Sequence, residues 1–342
     1  MSPLSLEVLW YLVIITALIF YAVLDGFDLG VGCLHLFARD DKERRIFLNS
    51  IGPVWDGNEV WLVIVGGALF AGFPEVFATT LSSFYDFVML LLFGLIFRAV
   101  SIEFRSKHPS IRWRKNWDVA FSLASIVIAF GVGLVLGNIV YGIPLGENKE
   151  FVGHFWDFLH PYPILFGLTT VALFVMHGSI YLVMKTEGSL HKYLRTWVKR
   201  SIAAFISCYV ALTAATFLLT PHMTERMRQI PLLFIIPLAA LLAILNIPRL
   251  IHKQKDGWAF IFSCLSILLL LSLFGIGSFP TMVRSSINPA EYSLTISNSA
   301  SSPLTLKVLM IIVIIGVPLV LAYGTYIYRI FRGKVTLDAN SY

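Results

Sequence analysis

Charge is scarce in this chain. Of its 342 residues, 13% are Asp, Glu, Lys or Arg and 57% are hydrophobic, whereas soluble domains carry about 25% charged residues. That shortage excludes a soluble globular class and implies a chain that lives in a bilayer. Cysteine is nearly as rare. Cys33, Cys208 and Cys264 stand singly in three different apolar stretches. No CxxC, CxxCH or zinc-type spacing occurs, which argues against a disulfide framework or a covalently attached haem and leaves three small apolar side chains. There is no Walker motif, GxGxxG, HExxH or GxSxG, so nothing points to nucleotide or hydrolytic chemistry. A basic segment ahead of the first apolar stretch is also missing, and that stretch is too long for a signal-peptide core. It reads as a retained helix.

What is present is a series of apolar runs. A hydrocarbon core of about 30 Å needs roughly 20 residues per crossing, and nine runs meet that length: 6–38, 48–72, 75–98, 117–141, 161–184, 199–219, 230–250, 257–280 and 305–330. The loops after runs 1, 3, 5, 7 and 9 hold 21 of the 26 Lys and Arg residues; the opposite loops hold only Lys149, Arg226, Arg228, Arg284 and Lys307. By the positive-inside rule the N-terminus is outside and the C-terminus cytoplasmic. The net charge of +6 then faces anionic lipid headgroups and not nucleic acid.

The expected fold is an all-α integral membrane protein with nine transmembrane helices. A faint repeat, "WDVAFSLASIVIAFGVGLVLG" (117–137) against "WAFIFSCLSILLLLSLFGIG" (258–277), suggests two four-helix bundles plus one peripheral helix. On that reading residues 1–342 form a single transmembrane domain, with units 6–141 and 161–280 and a ninth helix 305–330. The external segment 279–307 is rich in Ser, Asn and Pro and reads as irregular.

Ionisable residues inside a span cost several kcal/mol unless paired or wetted, so they are the functional candidates. Asp25 and Asp28 in "LDGFDLGVG" are three apart, on one helix face. Gly26 and Gly30 form a GxxxG pair that lets another helix approach. Asp56 and Glu59 in "GPVWDGNEVW" repeat the spacing between Trp55 and Trp61, after a Gly52-Pro53 kink. Counted at about 1.5 Å per residue from Arg39 and Arg45, Asp25 and Asp56 stand roughly 16–21 Å from the cytoplasmic loop. The two acid pairs therefore fit one layer of an antiparallel hairpin. Arg98 and Asp118, at the ends of the third and fourth runs, suit an interfacial ion pair, and Asp86 lies mid-run in the third. A proton-accessible polar layer is the functional reading, since burial makes carboxyls exchange protons near neutrality. Polar glue that fixes helix packing is the alternative, and it is favoured for Asp86 and Asp118. No histidine sits mid-span opposite a partner; His35 and His177 read as cytoplasmic boundary residues, and His154 and His160 as outer ones.

These stretches, with "ERRIFLNSIGPVWDGNEVWLV", "GGALFAGFPEVFA", "LIFRAVSIEFRSK", "RWRKNWD" and "SSPLTLKVL", resemble subunit II of the cytochrome bd-type quinol oxidases along nearly the whole chain. The resemblance implies a complex that oxidises quinol, reduces O2 to water and draws protons from the cytoplasm. It implies a haem-bearing subunit I that holds haem b and haem d, a small single-helix subunit, contact with membrane lipids, and a possible structural quinone or lipid. The chain itself would supply no iron ligand. Carried over, Asp25, Asp28, Asp56 and Glu59 would line a proton pathway, and Trp55, Asn58, Arg98 and Asp118 would support the interface or haem assembly. Glu59 stands where relatives often have Gln. A purely scaffolding subunit and an independent secondary transporter are the competing readings.

Overall fold

A computed structural model describes residues 5–337 and 341. Helix α1 (Leu6–Leu34) starts at Ser5, whose hydroxyl accepts from the Val8 amide, and runs into a 3-10 turn at His35–Phe37. The second apolar run is not one helix. It divides into α2 (Asp41–Ile51) and α3 (Trp55–Gly72), bent by 51°. Pro53 lacks the amide that would continue the ladder and its ring crowds the preceding turn. The third run is also divided: α4 (Pro74–Ser83) is only 10 residues long, too short to cross, and the crossing is made by α5 (Tyr85–Phe104). The crossing therefore starts ten residues and ends six residues farther along the chain than hydropathy places it. Asp86 moves with it, to the exposed first turn of α5 rather than mid-helix.

The remaining helices are α6 (Ile111–Tyr141), α7 (Pro161–Lys185), α8 (Gly188–Leu219), α9 (Glu225–Gln229), α10 (Ile235–His252), α11 (Asp256–Ser278) and α12 (Pro303–Ile330). Eight helices among the described residues are long and apolar enough to cross a bilayer, and the bent α2–α3 pair makes up to nine. The protein is an all-α multi-pass membrane protein.

Helix α1 is the centre of the bundle, packed by α3, α6, α7 and α11. Its last third, Asp25 to Leu34, is buried all round. Two glycines allow this. Gly30 and Gly178 meet where α1 crosses α7, so close that a Cβ at Gly30 would lie 1.9 Å from the Phe174 carbonyl oxygen. The GxxxG expectation holds, with α7 as the partner. Helix α12 is the opposite case: its hydrophobic window is only 6% buried, and Leu304, Ile314 and Leu319 point outward.

The segment after α11 is more ordered than its composition suggests. Strands β1 (Thr281–Val283) and β2 (Leu294–Thr295) pair antiparallel, and Val283, Leu294 and Ile296 are buried. The serines satisfy the backbone locally. Ser293 Oγ accepts from the Ser285 amide at 3.0 Å, and Ser285 Oγ donates to the Leu145 carbonyl at 3.0 Å.

Candidate functional site

At the end of the bundle that carries the basic loops, α1 presents Asp25 and Asp28, both fully buried. Arg98, also fully buried, reaches Asp25 from α5 with both terminal nitrogens, Nη1 to Oδ2 at 3.0 Å and Nη2 to Oδ1 at 2.5 Å. Such a fork suits the planar guanidinium. Away from water the pair is retained because either member alone would be an uncompensated buried charge. Glu59 of α3 stands at the rim, its Oε2 3.9 Å from Arg98 Nη1. One guanidinium therefore serves three carboxyls, and the other two must find hydrogen-bond donors, hold a proton or meet water.

Asp28 finds a donor on α3. Asn58 Nδ2 donates to Asp28 Oδ2 at 2.7 Å and to the Leu24 carbonyl at 3.1 Å. Tyr328 of α12 in turn donates to Asn58 Oδ1 at 2.9 Å. The break at Pro53 is what brings the first turn of α3 level with Leu24 and Asp28. Two atoms stay open: among the described residues Asp28 Oδ1 and Arg98 Nε, both buried, have no hydrogen-bond partner. Buried polar atoms are almost always satisfied, and where protein does not satisfy them ordered water does.

Three of the four predicted acids thus gather in one layer; the fourth does not. Asp56 is exposed on the outward face of α3, and its neighbour Trp55 is half-buried against the core. A helical spacing of three aligns Asp56 with Glu59 only approximately, and Glu59 turns inward at the rim while Asp56 turns out. The expected Arg98–Asp118 ion pair is also overturned. Helix α5 continues past Arg98 to Phe104, which leaves Arg98 about 10 Å inside the residue that meets Asp118, two turns on. That residue is Arg105, whose Nε donates to Asp118 Oδ1 at 2.5 Å.

Asp118 is the hub of a second cluster. His35 Nε2 lies 2.6 Å from its Oδ1 and Arg44 Nη1 is 3.1 Å from its Oδ2. Asp41 extends the network, accepting from Arg105 at 2.7 Å and Arg114 at 3.1 Å. The cluster ties the ends of α1, α2, α5 and α6 together. Sequence reasoning missed His35 as a member, although it lies seven residues beyond Asp28 and so on the same helix face. Tyr328 gave no signal, being one aromatic among several in an outward-facing helix.

His177 is buried rather than interfacial. Its Nδ1 lies 2.6 Å from Ser263 Oγ, its Nε2 2.9 Å from the Val23 carbonyl, and its ring stacks on Phe260. Both nitrogens are engaged within the protein, so His177 does not suit iron ligation. His35 has only Nδ1 uncommitted. His154 and His160 are exposed at the opposite end.

A family model described as cytochrome bd terminal oxidase subunit II matches residues 6–331. The chain is 35% identical to subunit 2 of cytochrome bd-I ubiquinol oxidase from Escherichia coli (strain K12), covering 97% of this chain and 96% of that one. It is 32% identical to cytochrome bd ubiquinol oxidase subunit 2 from Bacillus subtilis (strain 168), covering 97% of each. The structure of bd oxidase from Geobacillus thermodenitrificans shares the fold, with a TM-score of 0.76 at 18% identity over 95% of this chain and 98% of that one. The chain is thus a multi-pass protein of the bacterial cytoplasmic membrane and a component of a quinol oxidase, with a subunit 1 as its partner. Its sequence and its helical frame agree: it belongs to the cytochrome bd terminal oxidase subunit II family.

Proposed function

We propose that the layer of Asp25, Asp28, Glu59, Asn58 and Arg98 holds and passes protons taken from the cytoplasm toward the haem-bearing subunit I. The N-terminus is outside, and the helices form two four-helix units, 6–141 and 161–280, with 305–330 apart. The observation that carries the reading is a fully buried carboxyl oxygen, Asp28 Oδ1, left without a protein partner beside an equally unpartnered Arg98 Nε. Among the described residues the Asp118 cluster also leaves nitrogens open, at His35 Nδ1, Arg44 Nε and Arg105 Nη1, but both its Asp118 oxygens are paired. Asp28 Oδ1 is an open carboxyl oxygen, the atom a proton carrier needs to accept and release a proton.

Asp56 supports the direction of the route. A carboxylate facing lipid costs about 3 kcal/mol by insertion scales, so its place on the outer face of α3, with Val60, Val63 and the bare Gly67, calls for a protein neighbour there. Subunit I covering this face would continue the path from Glu59 through Asp56. Haem d, when bound in the complex with haem b, supplies the iron at which oxygen is reduced. This chain's residues supply proton storage and orientation. A structural quinone or lipid and a small single-helix subunit belong to the same proposal as family expectations. Membership of the oxidase family leaves the transporter reading without support.

Scaffolding is the second reading, and the Asp118 cluster favours it for that end of the bundle, since both its oxygens are answered by cations. Replacing Asp28 with Asn in the whole complex separates the two. A proton route predicts slowed quinol oxidation per haem at unchanged haem content. Lost haem with unchanged turnover per remaining haem would leave the scaffold.

A further inference from the structure

We infer that Tyr328 is a positioning residue: through the Asn58 amide it fixes which oxygen of Asp28 is free to carry the proton. This rests on the proton-route reading above. The Asn58 side chain has four possible hydrogen bonds, and its partners divide them by chemistry. The Leu24 carbonyl only accepts, so the Nδ2 edge must face it and, with it, Asp28 Oδ2. That orientation turns Oδ1 of the amide toward α12, where the Tyr328 hydroxyl donates to it at 2.9 Å. Asp28 Oδ2 is thereby committed as an acceptor, and Oδ1 remains the one oxygen with no partner.

Helix α12 is mostly apolar and little covered by the rest of the chain, yet the Tyr328 hydroxyl reaches a buried amide 270 residues earlier in the chain. Without it the amide oxygen is a buried acceptor with no donor, and the amide is held against Asp28 by its two Nδ2 contacts alone. The charged and titratable groups that face Asp28 are Asp25 from α1, Glu59 from α3, Arg98 from α5, Tyr181 from α7 and Tyr328 itself. Cys264 of α11 lies beside Tyr328.

The test uses the whole oxidase complex and turnover normalised per haem. Tyr328→Phe keeps the ring and removes the donor; it should slow turnover about two- to tenfold, the range for one lost hydrogen bond. In an Asn58→Leu background the same substitution should have no further effect, because the amide it acts through is gone. The pH–turnover profile should change shape in Tyr328→Phe, whereas a packing defect lowers it by one factor at every pH. Equal losses in both backgrounds, a uniformly lowered profile, or unchanged turnover would overturn the assignment. Asp28→Asn is run beside it. If that variant is slow and Tyr328→Phe is not, only the role of Tyr328 falls; if Asp28→Asn turns over normally, the proton route falls and this inference with it.

Discussion

Arg98→Gln is the substitution whose consequence the structure fixes most firmly. The guanidinium is fully buried, makes two charge-assisted bonds to Asp25 and stands 3.9 Å from Glu59. Glutamine keeps a donor but removes the layer's cation, leaving Asp25 as a buried carboxyl with nothing to balance it. Breaking such a pair from one side costs about 3–5 kcal/mol, or roughly a hundred- to several-thousand-fold in the folding equilibrium. At about 2 °C per kcal/mol for a large chain, the melting temperature should drop on the order of 6–10 °C. Asp25→Asn should cost less, because Glu59 and Asp28 still answer the guanidinium. The double variant, Asp25→Asn with Arg98→Gln, should recover most of the loss, since removing both charges leaves no orphan. Thermal melts of the purified complex, followed by haem absorbance and tryptophan fluorescence, read all four species. A double variant as unstable as the two single losses added together would refute the reasoning, as would wild-type stability in Arg98→Gln.

Gly30→Ala puts a methyl 1.9 Å from the Phe174 carbonyl oxygen, where C···O contacts normally exceed about 3.3 Å. The helices must part by over an ångström, and assembled complex should fall sharply, while Gly66→Ala, with nothing within 4 Å, should leave the chain intact. Gly67→Leu also meets open space in the chain, so reduced co-purification of subunit I with an unchanged melt of the isolated chain would mark the α3 face as the interface. Asp118→Asn leaves Arg105, Arg44 and His35 facing a neutral amide; it should lower melting and haem retention together and leave turnover per haem nearly unchanged. His222, in the loop after α8, donates to the Val140 carbonyl, and burial, with Arg284 nearby, pushes it below the ordinary histidine value of 6.5. A group depressed in the folded state contributes its full stability above about pH 6.5 and loses it as pH falls through the folded value. His222→Gln should therefore flatten the stability loss below pH 6.5, and an unchanged acid limb in a pH series of melts would count against it.

Much of this protein was already decided along the chain. Low charge and long apolar runs determine a membrane protein. Pro53 determines where the second crossing breaks, because it lacks the amide hydrogen that would continue the helix, and Gly26 and Gly30 determine that another helix must come close. The spacing of Asp25 and Asp28 puts them on one face whatever surrounds them. What the chain could not decide is how far one helix slides or turns against a helix distant in sequence. Hydropathy ended α5 at Arg98 and so gave it to Asp118; the helix runs on, and the two-turn difference gives Arg98 to Asp25 and Arg105 to Asp118. Rotation of α3 decided that Glu59 turns to the layer and Asp56 away from it. Tertiary packing alone brought Tyr328 to Asn58, because the 3.6-residue period sets which side chains share a face and says nothing about what that face will meet.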